Sequence, residues 1–299
     1  MFVTAVPPFN FDLSAQIFVN GDPQVRSYEK GSFRQVIRIG TKLVLISIES
    51  IGTVENPKLS VELKANLKLS EASIEKAKKI VSHLFNLDFN LTSFYKEARN
   101  DDLMKRVTSR LFGLKSPTTQ FAFEALVDSI VEQQISLKVA NTFERRIIKR
   151  WGDCLKLGDG VFYVYPTPKN LAAATQKELR AVGLSERKAE YIKNIASIIT
   201  AGKMDLETLK TSKMADDIIQ ELDKIKGVGV WTAELTMLRG MSRFEAFPAD
   251  DLGLRRTISH YYCSGKPILS SEARKIAENW GKWKGLAAYY LIVAEIVGI

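Results

Sequence analysis

Residues 222–235 read LDKIKGVGVWTAEL, and this stretch predicts two helices joined by a tight glycine turn. We expect the first helix to end at Lys226 and the second to begin just after Gly229. Glycine permits positive φ angles and lets a ligand approach the backbone closely. The free N–H groups at the start of a helix can bind a phosphate. The hairpin is therefore a candidate phosphate-binding element.

By itself the glycine pattern says little about function, because Gly-x-Gly also occurs in ordinary turns between helices. A dinucleotide-binding loop is excluded, since that motif follows a β-strand and here a helix precedes the glycines. The segment needs a second, independent feature before it indicates an activity.

Residues 247–257 read FPADDLGLRRT and supply that feature. Pro248 ends the preceding segment, and Asp250 and Asp251 stand where the next helix is expected to start. Aspartate at such a position commonly caps free N–H groups and meets the positive end of the helix dipole. Capping alone would explain both aspartates if the hairpin were absent. Asp251, however, follows Gly229 by 22 residues, so the hairpin and the aspartates are considered together.

Residues 225–233 (IKGVGVWTA) and 248–251 (PADD) together resemble the helix-hairpin-helix (HhH-GPD) DNA glycosylase superfamily, most closely its alkylpurine, or 3-methyladenine DNA glycosylase II, branch. The resemblance extends across most of the chain. Smaller matches are FNFDL at residues 9–13, EQQIS at residues 132–136 and WGKWK at residues 280–284. None of these smaller matches would identify the family alone.

The resemblance implies roles for several residues. The hairpin, through Lys226, Gly227, Val228 and Gly229, would grip the DNA backbone. Asp251 aligns with the catalytic aspartate, and Asp250 would then cap the helix or support its neighbour. A slip of one residue would exchange these two assignments.

Two further residues are assigned in the same way. Trp231 would form a stacking wall of the base pocket, with a cation–π contribution of about 0.5 to 2 kcal/mol for a positively charged base. A core tryptophan is the alternative. Gln134 would fill the space left by the flipped base, although an ordinary turn residue would look the same. Lys138, Arg255 and Arg256 are additional candidates for phosphate contacts.

One position separates two chemistries within the superfamily. Members that also cleave the strand carry a lysine two residues after the second hairpin glycine, and this lysine forms a Schiff base with the sugar. Trp231 stands there in this chain. The resemblance therefore implies a monofunctional glycosylase that flips the damaged base out of the duplex and hydrolyses its N-glycosidic bond.

No cofactor is expected. A family subgroup holds an iron–sulfur cluster on four cysteines, whereas this chain contains only Cys154 and Cys263. A structural cation on hairpin carbonyls would be compatible with the resemblance.

The preferred lesion is left open at this level. Leu235 and Ile292 are aliphatic where the alkylpurine branch carries pocket aromatics, and Tyr289 and Tyr290 lie nearby in sequence. Oxidised or deaminated purines are therefore alternative substrates. A non-catalytic protein that uses the hairpin only to hold DNA is a further alternative, but it gives no reason for the Pro-x-Asp-Asp segment.

The chain divides into two regions of different pattern, which predicts an α+β fold. Short β-branched segments at 32–39, 42–48 and 59–65 predict a small antiparallel sheet, with a hairpin turn at Gly40-Thr41. A helix with an apolar stripe follows from about residue 70. We place the end of this region near residue 105. Residues 106–299 are expected to be all-α, in two helical subdomains with the active site between them.

Composition agrees with a nucleic-acid partner. The chain carries 43 Lys and Arg against 34 Asp and Glu, a net charge of +9, which suits a polyanion. The two cysteines lack the spacing of a disulfide framework, no secretory signal is apparent at the amino terminus, and no apolar run reaches about 18 residues. We expect an intracellular, monomeric protein that binds double-stranded DNA with damaged bases and does not bind a membrane.

Overall fold

The computed structural model describes residues 1–19, 21–212 and 214–299. Its amino-terminal part is a five-stranded antiparallel sheet in the order β1-β5-β4-β3-β2. The predicted hairpin is confirmed, because Ile39 pairs with Lys42 across the turn and Gly40 takes a φ of +62°. The strands are β1 (Phe2–Thr4), β2 (Arg26–Glu29), β3 (Ser32–Ile39), β4 (Lys42–Ser50) and β5 (Lys58–Lys64).

Two helices pack on this sheet, α1 (Phe11–Phe18) and α2 (Glu71–Leu84). The expected apolar stripe of α2 is buried at Ala77, Val81 and Leu84. Phe85, just after α2, contacts the ring of Phe33 from β3 at a centroid distance of 5.1 Å. Aromatic and aliphatic side chains from both layers thus form the core of the sheet region.

The remainder is mainly helical, and thirteen helices follow α2 in the described residues. They are α3 (Thr92–Ala98), α4 (Asp102–Arg110), α5 (Ala122–Glu132), α6 (Leu137–Trp151), α7 (Pro168–Ala173), α8 (Gln176–Ala181), α9 (Glu186–Thr200), α10 (Leu206–Ser212), α11 (Ala215–Asp223), α12 (Val230–Met241), α13 (Leu252–Tyr262), α14 (Ser270–Ala277) and α15 (Lys284–Val297). A 3-10 segment, Glu278–Trp283, joins α14 to α15. No helix in the described part of the chain has both the length and the apolar character needed to cross a membrane.

The helices form two hydrophobic cores. One core surrounds α5, α6, α9 and α12. The other joins α13, α14 and α15 to α3 and α4. Leu238 of α12 packs against both cores. Residue 105 lies inside α4, so a boundary placed there separates α3 from part of the helix with which it packs.

The helical region also contains a β-hairpin that the sequence analysis did not predict. Its strands are β6 (Cys154–Leu157) and β7 (Gly160–Tyr163). Leu155 and Val164 pack against Val36 and Leu45 of the sheet. Because the hairpin buries its apolar residues against another region, its short strands leave little signal in the local sequence.

A group of buried and half-buried polar residues, which we call the junction cluster, joins the sheet to the helices. It consists of Arg26, Glu124, Asp128 and Tyr165. The Tyr165 hydroxyl donates to Asp128 Oδ1 at 2.6 Å. Burial raises the pKa of Glu124 to about 7 even though Arg26 opposes the shift, and burial likewise raises the pKa of Asp128. The cluster surrounds a cavity of about 40 Å³.

Candidate active site

The glycine hairpin connects α11 to α12. The second helix begins at Val230, as predicted, but the first ends at Asp223 and not at Lys226. The reason lies in the backbone: the N–H of Ile225 bonds to Leu222 O and that of Val228 bonds to Ile225 O. These three-residue spacings form tight turns in place of an α-helix.

The two glycines of the hairpin have different structural roles. Gly227 takes a φ of +93°, and a Cβ at this position would lie 2.2 Å from the Tyr191 ring. Gly229 has a φ of −99°, and a Cβ there would meet no atom within 4 Å. Gly227 is therefore required by the fold, whereas nothing in the protein itself requires glycine at 229.

The start of α12 is open to an anion. Gly229 is its N-cap residue, and no side chain caps the first turn. The neighbouring Lys226 points its Nζ at Glu190 Oε1, 2.6 Å away, and both side chains are exposed. A phosphate at this helix end would meet backbone N–H groups. The ammonium group of Lys226 could also bind the phosphate if it left its surface partner Glu190.

The turn between α5 and α6 is fastened to this hairpin. Gln133 donates from Nε2 to Gly227 O at 2.9 Å and to Thr232 Oγ1 at 3.1 Å. Gln134, the next residue, is exposed and takes a left-handed φ of +56°. The two glutamines therefore differ: Gln133 holds the turn against the hairpin, and Gln134 projects from it.

The structure brings Asp251 and Trp231 together. Asp251 is the N-cap residue of α13, and its Oδ1 accepts the N–H of Leu254 at 2.8 Å. Its Oδ2 accepts the indole N–H of Trp231 at 3.3 Å. Asp251 is half-buried and Asp250 is exposed. Of the two roles expected for Asp250, capping belongs to Asp251 because the helix begins one residue later, and support of its neighbour stays a prediction.

A network that the sequence analysis missed braces this pair. Arg274 of α14 forms two hydrogen bonds, at 2.9 and 3.0 Å, with the carboxylate of Glu234 on α12. Its Nη1 also donates to Phe247 O at 3.1 Å. Arg274 therefore ties the helix that carries Trp231 to the segment that leads into Asp251. These residues are far apart in sequence, so no local pattern links them.

A second ion pair lies further along α12. Arg239 Nη1 donates to Glu132 Oε1 at 2.6 Å. Burial opposes the charge of Arg239, but Glu132, and more weakly Asp251 and Asp128, raise its pKa above the ordinary value. Arg239 thus supplies positive charge that acts on the carboxylate of Asp251.

The residues expected near the base pocket are apolar or weakly polar. Leu235 is buried and Ile292 is half-buried. The hydroxyl of Tyr289 is buried and has no hydrogen-bond partner among the described residues, and burial raises its pKa. The hydroxyl of Tyr290 donates to Leu114 O at 2.6 Å in the core. Of the two tyrosines, only Tyr289 has a hydroxyl without a hydrogen-bond partner among the described residues.

The other phosphate candidates are spread over two helices. Lys138 is exposed in the first turn of α6, and Arg256 is exposed in α13. Arg255 is half-buried and donates from Nη1 to Ile268 O at 3.3 Å. The first two are free to face a ligand, while Arg255 is partly engaged in packing.

Ligands for a metal ion at the site could come from side chains or from backbone carbonyls. Across the described residues, no three His, Cys, Asp or Glu side chains come together where they could hold one. The hairpin carbonyls of Ile225, Gly227 and Gly229 already accept hydrogen bonds from Val228, Gln133 and Ala233. Each of these oxygens keeps a second lone pair, so a structural cation on the hairpin carbonyls stays a prediction, and we assign it no role in the chemistry.

Two family models match the chain. Residues 127–282 match the HhH-GPD superfamily of base excision DNA repair proteins. Residues 22–126 match the N-terminal domain of 8-oxoguanine DNA glycosylase. The hairpin and Asp251 both lie within the first match.

Individual proteins are similar over nearly the full length. A DNA-3-methyladenine glycosylase of Bacillus subtilis is 27% identical over 288 residues, which covers 95% of this chain and 94% of the relative. The structure of a 3-methyladenine DNA glycosylase from Archaeoglobus fulgidus superposes with a TM-score of 0.86 at 27% identity, covering 99% and 98% of the two chains. An 8-oxoguanine glycosylase/lyase of Clostridium acetobutylicum, solved with double-stranded DNA, shares the fold with a TM-score of 0.77 at 23% identity, covering 100% and 96%.

Proposed function

The chain belongs to the HhH-GPD superfamily and is a DNA glycosylase, and on that premise we propose that it releases alkylated bases from duplex DNA without cutting the strand. The observation that carries the proposal is the pair formed by Asp251 and Trp231 at the adjoining starts of α13 and α12. A carboxylate and an aromatic ring meet there beside a hairpin able to hold phosphate.

In the proposed reaction, the damaged base leaves the stack and enters the space beside Trp231. Flipping is least costly for a damaged or mismatched base. The indole ring offers a stacking surface that favours a positively charged purine. The hairpin and the start of α12 bind the backbone, and Gln134 occupies the gap in the duplex.

Asp251 then acts on the sugar. As the C1′–N bond breaks, its electron pair leaves with the base and positive charge develops on the deoxyribose. The carboxylate of Asp251 stabilises that charge and orients a water, whose oxygen bonds to C1′ and whose proton is released. An alkylated purine is already cationic and departs as a neutral base, so electrostatic help of this kind suffices.

The central test compares base release from alkylated duplex DNA by the wild type and by Asp251→Asn under single-turnover conditions. We expect at least a hundredfold lower rate, about 3 kcal/mol of lost transition-state stabilisation. Asparagine caps a helix as well as aspartate does but cannot also accept the indole N–H of Trp231, so the free energy of unfolding should fall by about 1 kcal/mol. Duplex binding without base release by the wild type would reject the enzyme and favour the non-catalytic alternative.

Strand chemistry is tested separately by borohydride trapping. With Trp231 in place of a Schiff-base lysine, we expect no covalent adduct with DNA. An adduct that survives denaturation would contradict the monofunctional assignment without affecting glycosylase activity.

Oxidised purines are a second candidate substrate class, favoured by the match of residues 22–126 to the N-terminal domain of 8-oxoguanine DNA glycosylase. Single-turnover rates on duplexes with 3-methyladenine, 7-methylguanine, 1-methyladenine, hypoxanthine and 8-oxoguanine decide between the classes. We expect the cationic alkylated bases to react fastest. Faster release of 8-oxoguanine would replace alkylated bases with oxidised purines as the substrate.

A further inference from the structure

A basic cleft lies on α6, away from the hairpin. Arg145, Arg146, Lys149 and Arg150 line it from one face of the helix, because residues at these spacings share a face. The opposite wall includes Asp22 and Val182, and the cleft measures about 510 Å³. Neither the hairpin nor Asp251 contributes to it.

The positive charge of this cleft is only partly balanced. Lys149 Nζ lies 2.8 Å from Asp22, which is nearly buried. Arg150 lies 3.5 Å from Glu178, and both side chains are largely exposed, so this pair is weak. Four cations thus face two carboxylates.

The remaining two arginines have neutral partners. Arg145 donates to the Thr142 hydroxyl at 3.3 Å, and Arg146 donates to Val182 O at 3.0 Å. Neither contact neutralises a guanidinium group. Guanidinium groups bind phosphate in a bidentate manner, and three of the four cations are arginines. The cleft is therefore suited to a phosphate backbone.

The basic cleft lies apart from the proposed lesion site, by which we mean the base pocket at Asp251 and Trp231. The N-cap residue of α6, Ser136, adjoins the turn that Gln133 fastens to the hairpin. Arg145 and Arg150 follow Ser136 by 9 and 14 residues, roughly 14 and 21 Å along the helix at 1.5 Å per residue. The cleft is therefore a candidate phosphate site apart from the hairpin.

We propose that the cleft binds the phosphate backbone of a second DNA segment while the first occupies the lesion site. The proposal rests on DNA being the partner of this glycosylase. A second contact of this kind would retain the protein on DNA between encounters with damaged bases, and its strength would depend on salt.

The test uses Arg145→Gln/Arg150→Gln, which leaves the contacts of Lys149 with Asp22 and of Arg146 with Val182 in place. The protein is first saturated with a short undamaged duplex of about 12 base pairs, and binding of a second, fluorescent duplex is then titrated at several salt concentrations. For the wild type we expect a second site with a Kd in the range of about 10⁻⁴ to 10⁻⁶ M. In the double variant, we expect the salt slope of this second event to fall by about 1.8, since each lost phosphate contact contributes about 0.9.

A matched control removes the same charge elsewhere. Lys76 and Lys79 are exposed on α2, so Lys76→Gln/Lys79→Gln lowers the net charge equally. The control should keep the second site, and thermal melting should be alike in all three proteins. An equal loss in the control, or a stoichiometry of one duplex in the wild type, would overturn the proposal.

Two parallel measurements separate the remaining explanations. Base release by the wild type from a lesion duplex shows whether the proposed function holds, whatever occurs at the cleft. Competition by polyglutamate that exceeds competition by DNA of equal charge would assign the cleft to an acidic protein segment and reject DNA as its occupant.

Discussion

The site at Asp251 and the junction cluster both contain carboxylates, yet they are built in opposite ways. Asp251 is half-buried at a helix start, and two N–H donors point at its oxygens. Glu124 and Asp128 are buried between the sheet and α5, and burial raises the pKa of each. Strongly shifted carboxyl groups often mark functional sites, but structural clusters shift them too. Here the shifted carboxyls lie where two regions of the fold meet, whereas Asp251 is partly accessible to solvent at the start of α13.

The largest effect should come from the backbone of the site. Gly227→Ala forces a left-handed alanine and pushes its Cβ into the Tyr191 ring. We expect a loss of about 3 kcal/mol or more in the free energy of unfolding, measured by denaturant titration.

Gly229→Ala is the matched control, since its added methyl group meets open space. It should cost at most about 1 kcal/mol in stability, the difference between glycine and alanine at an N-cap, but weaken duplex binding, because the methyl group occupies the space where a phosphate would approach the start of α12. If both variants were equally destabilised, the distinction between a structural Gly227 and a DNA-binding Gly229 would be wrong.

The junction cluster should make the stability of the protein depend on pH. Glu124 has a pKa of about 7 in the folded protein and an ordinary value near 4.5 when unfolded. Between these values folding takes up a proton, so stability falls as pH rises from about 4.5 to 7, with a slope of up to about 1.4 kcal/mol per pH unit. Above pH 7 the loss is complete.

Glu124→Gln removes one of two titrating groups and should reduce this slope to the part that Asp128 contributes, making the variant more stable than the wild type at pH 8. Glu97→Gln, a change of an exposed carboxyl on α3, should leave the slope intact. Excision by Glu124→Gln at pH 7 should match the wild type. A slope in Glu124→Gln equal to that of the wild type would place the whole titration on another member of the cluster.

The difference between the two regions also explains what the sequence could predict. The hairpin and Asp251 are marked by glycine, proline and aspartate at fixed spacing, and their local conformation follows from those residues. The β3–β4 hairpin and the apolar stripe of α2 were predictable for the same reason. The junction cluster, by contrast, brings Arg26 to Glu124 from opposite regions, and no local pattern encodes that meeting.

The same limit applies within the site. The contact of Arg274 with Glu234 spans 40 residues and depends on how α14 packs against α12. The early end of α11 at Asp223 depends on burial of Ile225, which the helical pattern alone did not reveal. Asp251 took the cap in place of Asp250 because the turn after Pro248 extends by one residue. Tertiary packing, rather than local helix propensity, determined these three features.

Arg274 tests whether the site needs its distant support. Arg274→Ala leaves the buried carboxylate of Glu234 without its two hydrogen bonds and frees the segment before Asp251. Because Arg274 is partly exposed, we expect a loss of about 2 kcal/mol in stability. Single-turnover excision should fall as well, with substrate affinity little changed.

Arg274→Lys is the conservative comparison, since it keeps the charge but cannot reproduce the bidentate contact. It should recover most of the stability and only part of the excision rate. Full activity in Arg274→Ala would show that Asp251 is positioned without this brace.

The smallest effect is expected at the turn between α5 and α6, where two neighbouring glutamines contrast structure with function. Gln133→Ala removes two hydrogen bonds to the hairpin and should cost about 1 kcal/mol in stability. Gln134→Ala changes an exposed side chain and should leave the free energy of unfolding almost unchanged. Both should slow excision, the first by loosening the turn against the hairpin and the second by leaving the gap in the duplex unfilled. If excision by Gln134→Ala equals that of the wild type while Gln133→Ala is impaired, the turn serves only to position the hairpin, and Gln134 has no part in base flipping.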